Sequence, residues 1–311
     1  MAAAHLVCHE NGLEKYAEEE KRCHYCQFRR FSTHYEFPIS INNDVDNEGL
    51  PESFQFVNKV VPSADVPLIA EEFVSSCECV ADHCVTQNCT CLSDIDASRL
   101  PGLKKNAYHA TGQLRSAYLN GHYPIYECGD KCKCGQNCPN RVVQRGRTVC
   151  LQIFKTDDGR GWGVKTLSPI IRGYFVDCYF GELLTPDEAQ ARRDQASSVQ
   201  QKDVYLFALD KFTDIRSPDP RLHAPYEIDG EFISGPTRFI NHSCDPNLRI
   251  FAVVKNSADQ PFHSLAFFAL ENIAPNTELT FDYLDGITGD GDDKEKTKCL
   301  CGAENCRGYL F

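Results

Sequence analysis

Eighteen cysteines in a chain of 311 residues are the first side chains whose spacing asks for a chemistry. Nine of them fall in two dense runs. CECVADHCVTQNCTC carries Cys77, Cys79, Cys84, Cys89 and Cys91, and CGDKCKCGQNC carries Cys128, Cys132, Cys134 and Cys138. Zinc takes four ligands in a tetrahedron and favours thiolate sulfur in structural sites. Three zinc ions need about twelve ligand positions, and nine thiolates fill them if three bridge two ions each. Such a cluster carries a charge of about −3, for which backbone N–H groups, Arg141 and Arg145 are nearby counterweights. Two separate four-cysteine sites with one spare thiol satisfy the same spacing.

The tail repeats the pattern in miniature. CLCGAENC supplies Cys299, Cys301 and Cys306, one ligand short of a tetrahedron. Cys244, alone in the polar stretch RFINHSCDPN at 238–247, is the candidate fourth ligand. A zinc there would anchor the tail onto that loop as a lid. A buried core thiol beside an unrelated tail is the competing reading of Cys244. Five thiols remain: Cys8, Cys23, Cys26, Cys150 and Cys178. Cys23 and Cys26 form a single C-x-x-C with no second pair, which is a weak metal signal, and Cys150 and Cys178 lie in apolar, strand-like runs that suit a core.

The elements that must position these residues are short. Hydrophobic residues make up 42% of the chain and charged ones 24%, enough for a sizeable core. The first residues, MAAAHLVCHENG, hold no long apolar run, so neither a secretory leader nor a membrane span is expected, and an intracellular, reducing setting favours metal over disulfides. The net charge of −12 opposes direct DNA binding and favours a basic partner, or serves solubility alone. Short runs read as strands: FPISINN, SFQFVNKVV, LQIF, GVKT, YFVDCYFGE, DVYLFALD and SLAFFAL. One helix is predicted over 186–196, with Thr185 as N-cap, Pro186 first and Glu188 closing a capping box. The fold class is mainly β with short helices. The divisions are an N-terminal region at 1–74 with no assignable motif, a cysteine block at 75–146, a strand-rich body at 148–284, an acidic linker at 285–298 and the tail at 299–311.

RGWG at 160–163, YFGE at 179–182, RFINHSCDPN at 238–247 and ELTFDY at 278–283 occur in an order that resembles the SET-domain lysine methyltransferases. The cysteine block resembles a pre-SET region and CLCGAENCRGYLF a post-SET tail. The combination resembles the Su(var)/Clr-type enzymes that methylate lysine 9 of histone H3. Lacking a chromodomain, it is similar to their compact filamentous-fungal, DIM-type branch. The resemblance spans about 75–311. It implies small curled β-sheets with a knot-like C-terminal arrangement. It further implies three zinc ions in the pre-SET cluster, a fourth on Cys244, Cys299, Cys301 and Cys306, and S-adenosylmethionine as methyl donor. The implied cofactor pocket is Arg160, Gly161, Trp162, Gly163, Tyr205, Arg238, Phe239, Asn241 and His242, with the terminal ring of Phe311 as a cover where the fungal branch has tryptophan. Gly161 and Gly163 would let backbone approach a ligand. Arg238 would pair the cofactor carboxylate or serve structure, and Asn241 and His242 would meet adenine through backbone or side chain.

Methyl transfer to an amine needs the lysine uncharged and in line with the donor, whereas its ammonium has an ordinary pKa of about 10.4. Tyr179 and Tyr283 are the catalytic candidates, as phenols that orient the nitrogen. Phe281 in place of tyrosine leaves room for an amine already carrying methyls, which predicts trimethyl-lysine as product. Leu206, Phe207, Ala208 and Asp210 form the candidate substrate strand, an edge for a histone H3 tail to join, or else an ordinary internal strand. The expected setting is the nucleus and chromatin, in heterochromatin formation and silencing. A monomer recruited by chromatin-targeting proteins is expected. A methyltransferase for a non-histone lysine, or a non-catalytic zinc-containing histone-binding module, are the alternative functions.

Overall fold

The aromatic residues of the N-terminal segment explain how the chain closes on itself. Phe28, Phe31, Phe54 and Phe56 are all buried and join one core with Val164, Ile228, Phe239, Ile240, Phe267 and Phe281. The computed structural model describes residues 23–51, 53–67, 74–80, 83–85, 89–93, 105–195, 205–255, 257–285 and 297–310. The described residues of the segment that offered no motif in the sequence are therefore a structural part of the body. The helix His24–Arg29 buries Phe28, and the Gln27 amide oxygen accepts the Phe56 N–H at 2.8 Å. Strand Ile39–Asn42 pairs in parallel with Leu151–Lys155, which pairs with Trp162–Thr166.

Among the described residues the strands form four small sheets. The largest runs in the order Asn241–His242, Thr280–Phe281, Leu248–Val254, Ser264–Ala269 and Phe175–Tyr179, with Ile125–Tyr126 beside Leu248–Val254. Thr280–Phe281 is thus threaded between two stretches that precede it in the chain. Phe281 lies opposite His242 on one side and Leu248 on the other. This is the knot-like crossing expected of a SET fold, and it brings two distant sequence motifs side by side. Phe175–Tyr179 is buried at every position, Asp177 included, whose carboxylate meets the buried Arg147 guanidinium at 3.4 Å. A second sheet runs Val61–Pro62, Glu182–Leu184, Glu227–Asp229 and Leu206–Ala208. Gly181 sits where this sheet crowds: a Cβ there would overlap the Asp229 carbonyl. Leu248–Val254 and Glu227–Asp229 carry no strand expectation from the sequence, although LRIFAVV, set between CDPN and KNSADQP, was an available strand signal for the first.

The one expected helix is observed as Pro186–Gln195. Its capping box is reciprocal. The Glu188 N–H donates to Thr185 Oγ1 at 3.3 Å, while Glu188 Oε2 accepts the Thr185 N–H at 2.8 Å. The same carboxylate accepts Ser63 Oγ at 2.7 Å, tying the helix start to the N-terminal strand region. Thr185→Ala is expected to cost about 1 kcal/mol of stability, read as a lower denaturant midpoint with an unchanged slope. Two helices, His24–Arg29 and Ser116–Leu119, have no sequence expectation behind them; both are too short to show a period. No helix of the described residues is long and apolar enough to cross a membrane.

Candidate active site and metal centres

The cysteine runs converge on one buried nest with Tyr126 and Val254. Three overlapping quartets have all their sulfurs within 4.8 Å of one another: Cys77, Cys79, Cys84 and Cys89; Cys77, Cys84, Cys128 and Cys134; Cys77, Cys91, Cys128 and Cys132. Cys138 completes the nest through its sulfur contacts with Cys128 and Cys84. Tetrahedral zinc with sulfur at about 2.3 Å spaces its ligands by about 3.8 Å, far beyond a disulfide bond. Cys77 and Cys84 stand at 3.8 Å, and Cys91 and Cys132 at 3.4 Å. Cys77 belongs to all three quartets, and Cys84 and Cys128 to two each. Burial pushes the Cys77 thiol up to about 12, so packed thiols resist ionising together unless a cation joins them. The donors fit zinc.

Counter-charge comes from one of the two arginines named from sequence. Arg141 is fully buried, and its Nη2 donates to Cys134 Sγ at 3.5 Å and to the Cys134 carbonyl at 3.3 Å. Arg145 is exposed. Backbone N–H groups of Cys77 and Asn140 also point at cluster sulfurs, each at 3.4 Å. Among the described residues, no four-cysteine group includes Cys23 or Cys26. Cys178 is buried in its strand, and Cys150 is half-buried.

The fourth quartet is Cys244, Cys299, Cys301 and Cys306. Cys244 and Cys299 sulfurs are 4.0 Å apart. The lone thiol of RFINHSCDPN therefore meets the tail rather than a hydrophobic core. His242 links this quartet to the body. Its Nδ1 accepts the Tyr283 N–H at 3.2 Å, and its Nε2 lies 3.3 Å from Cys244 Sγ. Burial lowers its pKa, so the ring is neutral and carries its proton on Nε2. With both ring nitrogens engaged, only the His242 backbone is left to meet an adenine.

The other motif residues gather around Glu278. Arg160 forks onto its carboxylate at 3.1 and 2.8 Å, and the Asn241 amide donates to it at 2.9 Å and to the Trp162 carbonyl at 3.2 Å. Gly161 has φ +85 and open space where a Cβ would stand, so its backbone can face a ligand. At Gly163 a Cβ would come within 2.9 Å of Glu278 Oε1 and 3.1 Å of the Asn241 amide. Trp162 is half-buried against the core, with Lys155 5.5 Å above its ring. Arg238 donates from Nε to the Gly230 carbonyl and from Nη2 to that of Glu231, with its guanidinium 4.4 Å over Tyr205. Of the two roles left open for it, the structural one describes these contacts. The Phe239 ring is buried on Phe54 at 5.3 Å and supports the site from behind. Phe311 lies outside the described residues. Glu278 and its neighbour Asn247, which bonds the Glu278 carbonyl at 2.8 Å and the Thr280 N–H at 2.9 Å, were missed. A carboxylate opening the apolar ELTFDY was the available signal for the first.

Four aromatic rings make a box at the centre. Phe207 is 4.5 Å from Tyr179, 5.7 Å from Phe281 and 6.3 Å from Tyr283, while Phe281 and Tyr283 are 4.7 Å apart. Each tyrosine hydroxyl donates to a carbonyl at 3.0 Å: Tyr179 to Tyr205 O, Tyr283 to Ile240 O. Their protons are spent on the backbone, so the oxygen lone pairs are what remain for a ligand. Burial holds both phenols above their ordinary pKa of 10. The box opens on a cleft of about 1070 Å³ that includes Phe207, Asp210, Asp245 and Asp285. Leu206–Ala208 is the edge strand of its sheet on that cleft, pairing only with Glu227–Asp229 among the described residues. Leu206 is buried, Phe207 half-buried, and Ala208 and Asp210 exposed.

Comparison with known proteins agrees with this geometry. The Pre-SET motif matches residues 31–141 and the SET domain matches 161–284. The H3 lysine-9-specific histone-lysine N-methyltransferase KMT1 of Fusarium mangiferae is 46% identical, over 97% of this chain and 96% of its own length. The dim-5 enzyme of Neurospora crassa, also named H3 lysine-9 specific, is 49% identical over 94% of each chain. The solved structure of Neurospora DIM-5 superimposes with a TM-score of 0.75 at 47% identity, covering 85% of this chain and all of that one. Arabidopsis thaliana SUVH6, solved in complex with SAM, matches at 30% identity with a TM-score of 0.69, over 98% of this chain and 60% of that one. By these matches the chain belongs to the SET-domain family of histone-lysine N-methyltransferases.

Proposed function

We propose that this protein trimethylates lysine 9 of histone H3, with S-adenosylmethionine as methyl donor. The aromatic box carries the reading: four rings enclose a channel for one alkylamine, and two fixed phenol oxygens face its end. When bound, S-adenosylmethionine supplies a methyl group whose carbon–sulfur bond breaks as the nitrogen–carbon bond forms, the sulfur keeping the electron pair. The chain's own residues do the rest. The rings of Phe207, Phe281, Tyr179 and Tyr283 strip water from the lysine stem, which disfavours the ammonium and helps release its proton to solvent. The Tyr179 and Tyr283 oxygens then hold the amine by accepting its remaining N–H bonds, which fixes its lone pair toward the donor. Arg160, Glu278, Asn241 and Trp162 shape the donor pocket with the backbone of Gly161 and His242, while Arg238 and Phe239 hold Tyr205 and the wall behind it.

The edge Leu206–Ala208 takes the H3 tail by strand addition, and Asp210, with the −12 net charge, favours a basic peptide. The nest before residue 146 would hold three zinc ions on Cys77, Cys79, Cys84, Cys89, Cys91, Cys128, Cys132, Cys134 and Cys138, whose sulfurs crowd into overlapping groups. The fourth zinc binds the tail. The protein acts on chromatin in the nucleus, directed there by partner proteins.

Incubation with labelled S-adenosylmethionine and core histones, followed by mass spectrometry, is expected to place three methyls on H3 lysine 9. Label on another lysine, or none, would overturn the assignment. Phe281→Tyr is expected to stop the product at the mono- and dimethyl stages. A hydroxyl added to this ring, packed at 4.7 Å from Tyr283 and 5.0 Å from Phe267, takes the space and a hydrogen-bonding position that the last methyl needs. Trimethyl product at an unchanged rate from that variant would refute the steric argument.

A further inference from the structure

Arg307 follows directly on the tail thiol Cys306, and its guanidinium reaches back into the body. Nη1 donates to Asp282 Oδ2 at 2.8 Å and Nη2 to Asp282 Oδ1 at 2.6 Å. Two parallel charge-assisted bonds of this length hold both distance and orientation. The two side chains are only 19% and 15% exposed, so solvent screens the pair weakly. Asp282 is the residue between Phe281 and Tyr283. Its flanks are themselves pinned: Ser243 N–H donates to the Phe281 carbonyl at 3.0 Å, Tyr283 N–H to His242, and Leu284 N–H to Asp282 Oδ1 at 3.1 Å. The tail, for its part, is closed on itself. Cys299 N–H donates to the Gly308 carbonyl at 3.0 Å and Leu310 N–H to the Thr297 carbonyl at 2.8 Å.

A tail that is one small closed unit needs more than one attachment to be oriented. The quartet at Cys244 supplies a pivot, and a single pivot leaves tilt free. We propose that Arg307 and Asp282 form a second, metal-independent clasp that sets the tilt of the tail against the wall of the lysine channel. They are positioning residues for methyl transfer, neither of them touching the reacting atoms. The clasp also neutralises a carboxylate set beside the channel, where a free negative charge would favour the ammonium form of the incoming lysine. This rests on the methyltransferase reading above.

The test is a double-mutant cycle of Asp282→Asn, Arg307→Ala and the pair, with three readouts: zinc content, kcat/KM for an H3 peptide, and hydrogen exchange of residues 297–310. Each single variant is expected to keep the parent's zinc and to lose about tenfold in kcat/KM. The double variant should be no worse than the poorer single, since both changes break one interaction. Exchange in the tail should quicken about tenfold in all three. Multiplying losses, single variants within twofold of the parent, or zinc lost along with the clasp would each overturn the proposal. A parent protein that methylates no histone lysine would instead overturn the function proposed above, and tail exchange would still decide the clasp: unchanged protection in Arg307→Ala and Asp282→Asn would refute it.

Discussion

Tyr283→Phe is expected to lower kcat by about 10² to 10³-fold, with cofactor KM, zinc content and thermal midpoint close to the parent's. The ring stays, so the packing on Phe281 and His242 is kept, at 4.7 and 5.3 Å. What goes is one oxygen that donates to Ile240 O and presents its lone pairs to the channel. The loss therefore falls on orientation of the amine rather than on binding. The pH profile separates this from base catalysis. Burial holds the folded pKa of Tyr283 and of Tyr179 above 10, so both stay protonated throughout the usual assay range, and burial keeps His242 neutral. The rate should rise with pH as the substrate lysine gives up its proton. In Tyr283→Phe the same rising limb should persist at lower height, and a limb that vanished would identify the tyrosine as the base and refute this account. The same shifts limit the window. With folded values raised, the tyrosines contribute stability that is fully present below about pH 10, where the unfolded chain still holds those protons, and that is lost as pH rises past it. The limb should be read with unfolding followed in parallel.

The parts of this molecule legible in the sequence are those whose chemistry forces a pattern. Thirteen cysteines in three runs and one loop had to meet in fours because zinc is tetrahedral, and the quartets at Cys77 and Cys244 are where that demand leads. Thr185, Pro186 and Glu188 wrote a helix start that needs no tertiary help. The parts that stayed hidden depend on partners far away in the chain. Phe28 and Phe54 carry no motif, and their place beneath Phe239 follows only from the whole core. Glu278 looks like a charged start to an apolar strand until Arg160, over a hundred residues earlier, closes on it. Gly163 and His242 lie in motifs that suggest a ligand, and that Glu278 crowds the first while Cys244 and Tyr283 engage the ring of the second is a matter of packing that spacing cannot display. The threading of Thr280–Phe281 past Asn241–His242 lay equally beyond local pattern, and only the family resemblance anticipated it.

Cys244→Ser should abolish turnover, by more than about 100-fold, while leaving the rest of the fold in place. A serine hydroxyl does not ionise at neutral pH and is a poor zinc ligand, so the tail quartet falls to three donors. Elemental analysis should then find one zinc fewer per chain. The body should be spared, because the nine-cysteine nest draws on none of the four tail positions and is buried around Tyr126 and Val254. The thermal midpoint should shift little, and residues 297–310 should become open to proteolysis. Two losses converge on the active site. Arg307 N–H no longer has the Cys244 sulfur to meet at 3.4 Å, and the His242 ring that holds Tyr283 N–H loses its partner on the other side. The same reasoning orders the effects of a chelator on the unaltered protein. Cys244, Cys301 and Cys306 are half-buried, whereas Cys77, Cys84, Cys128 and Cys138 are at most 1% exposed. Mild chelation should remove the tail zinc first, stopping methyl transfer before any unfolding, and added zinc should restore it. Full activity in Cys244→Ser with the tail zinc gone, or activity lost only in step with unfolding, would show that the tail does not complete the site.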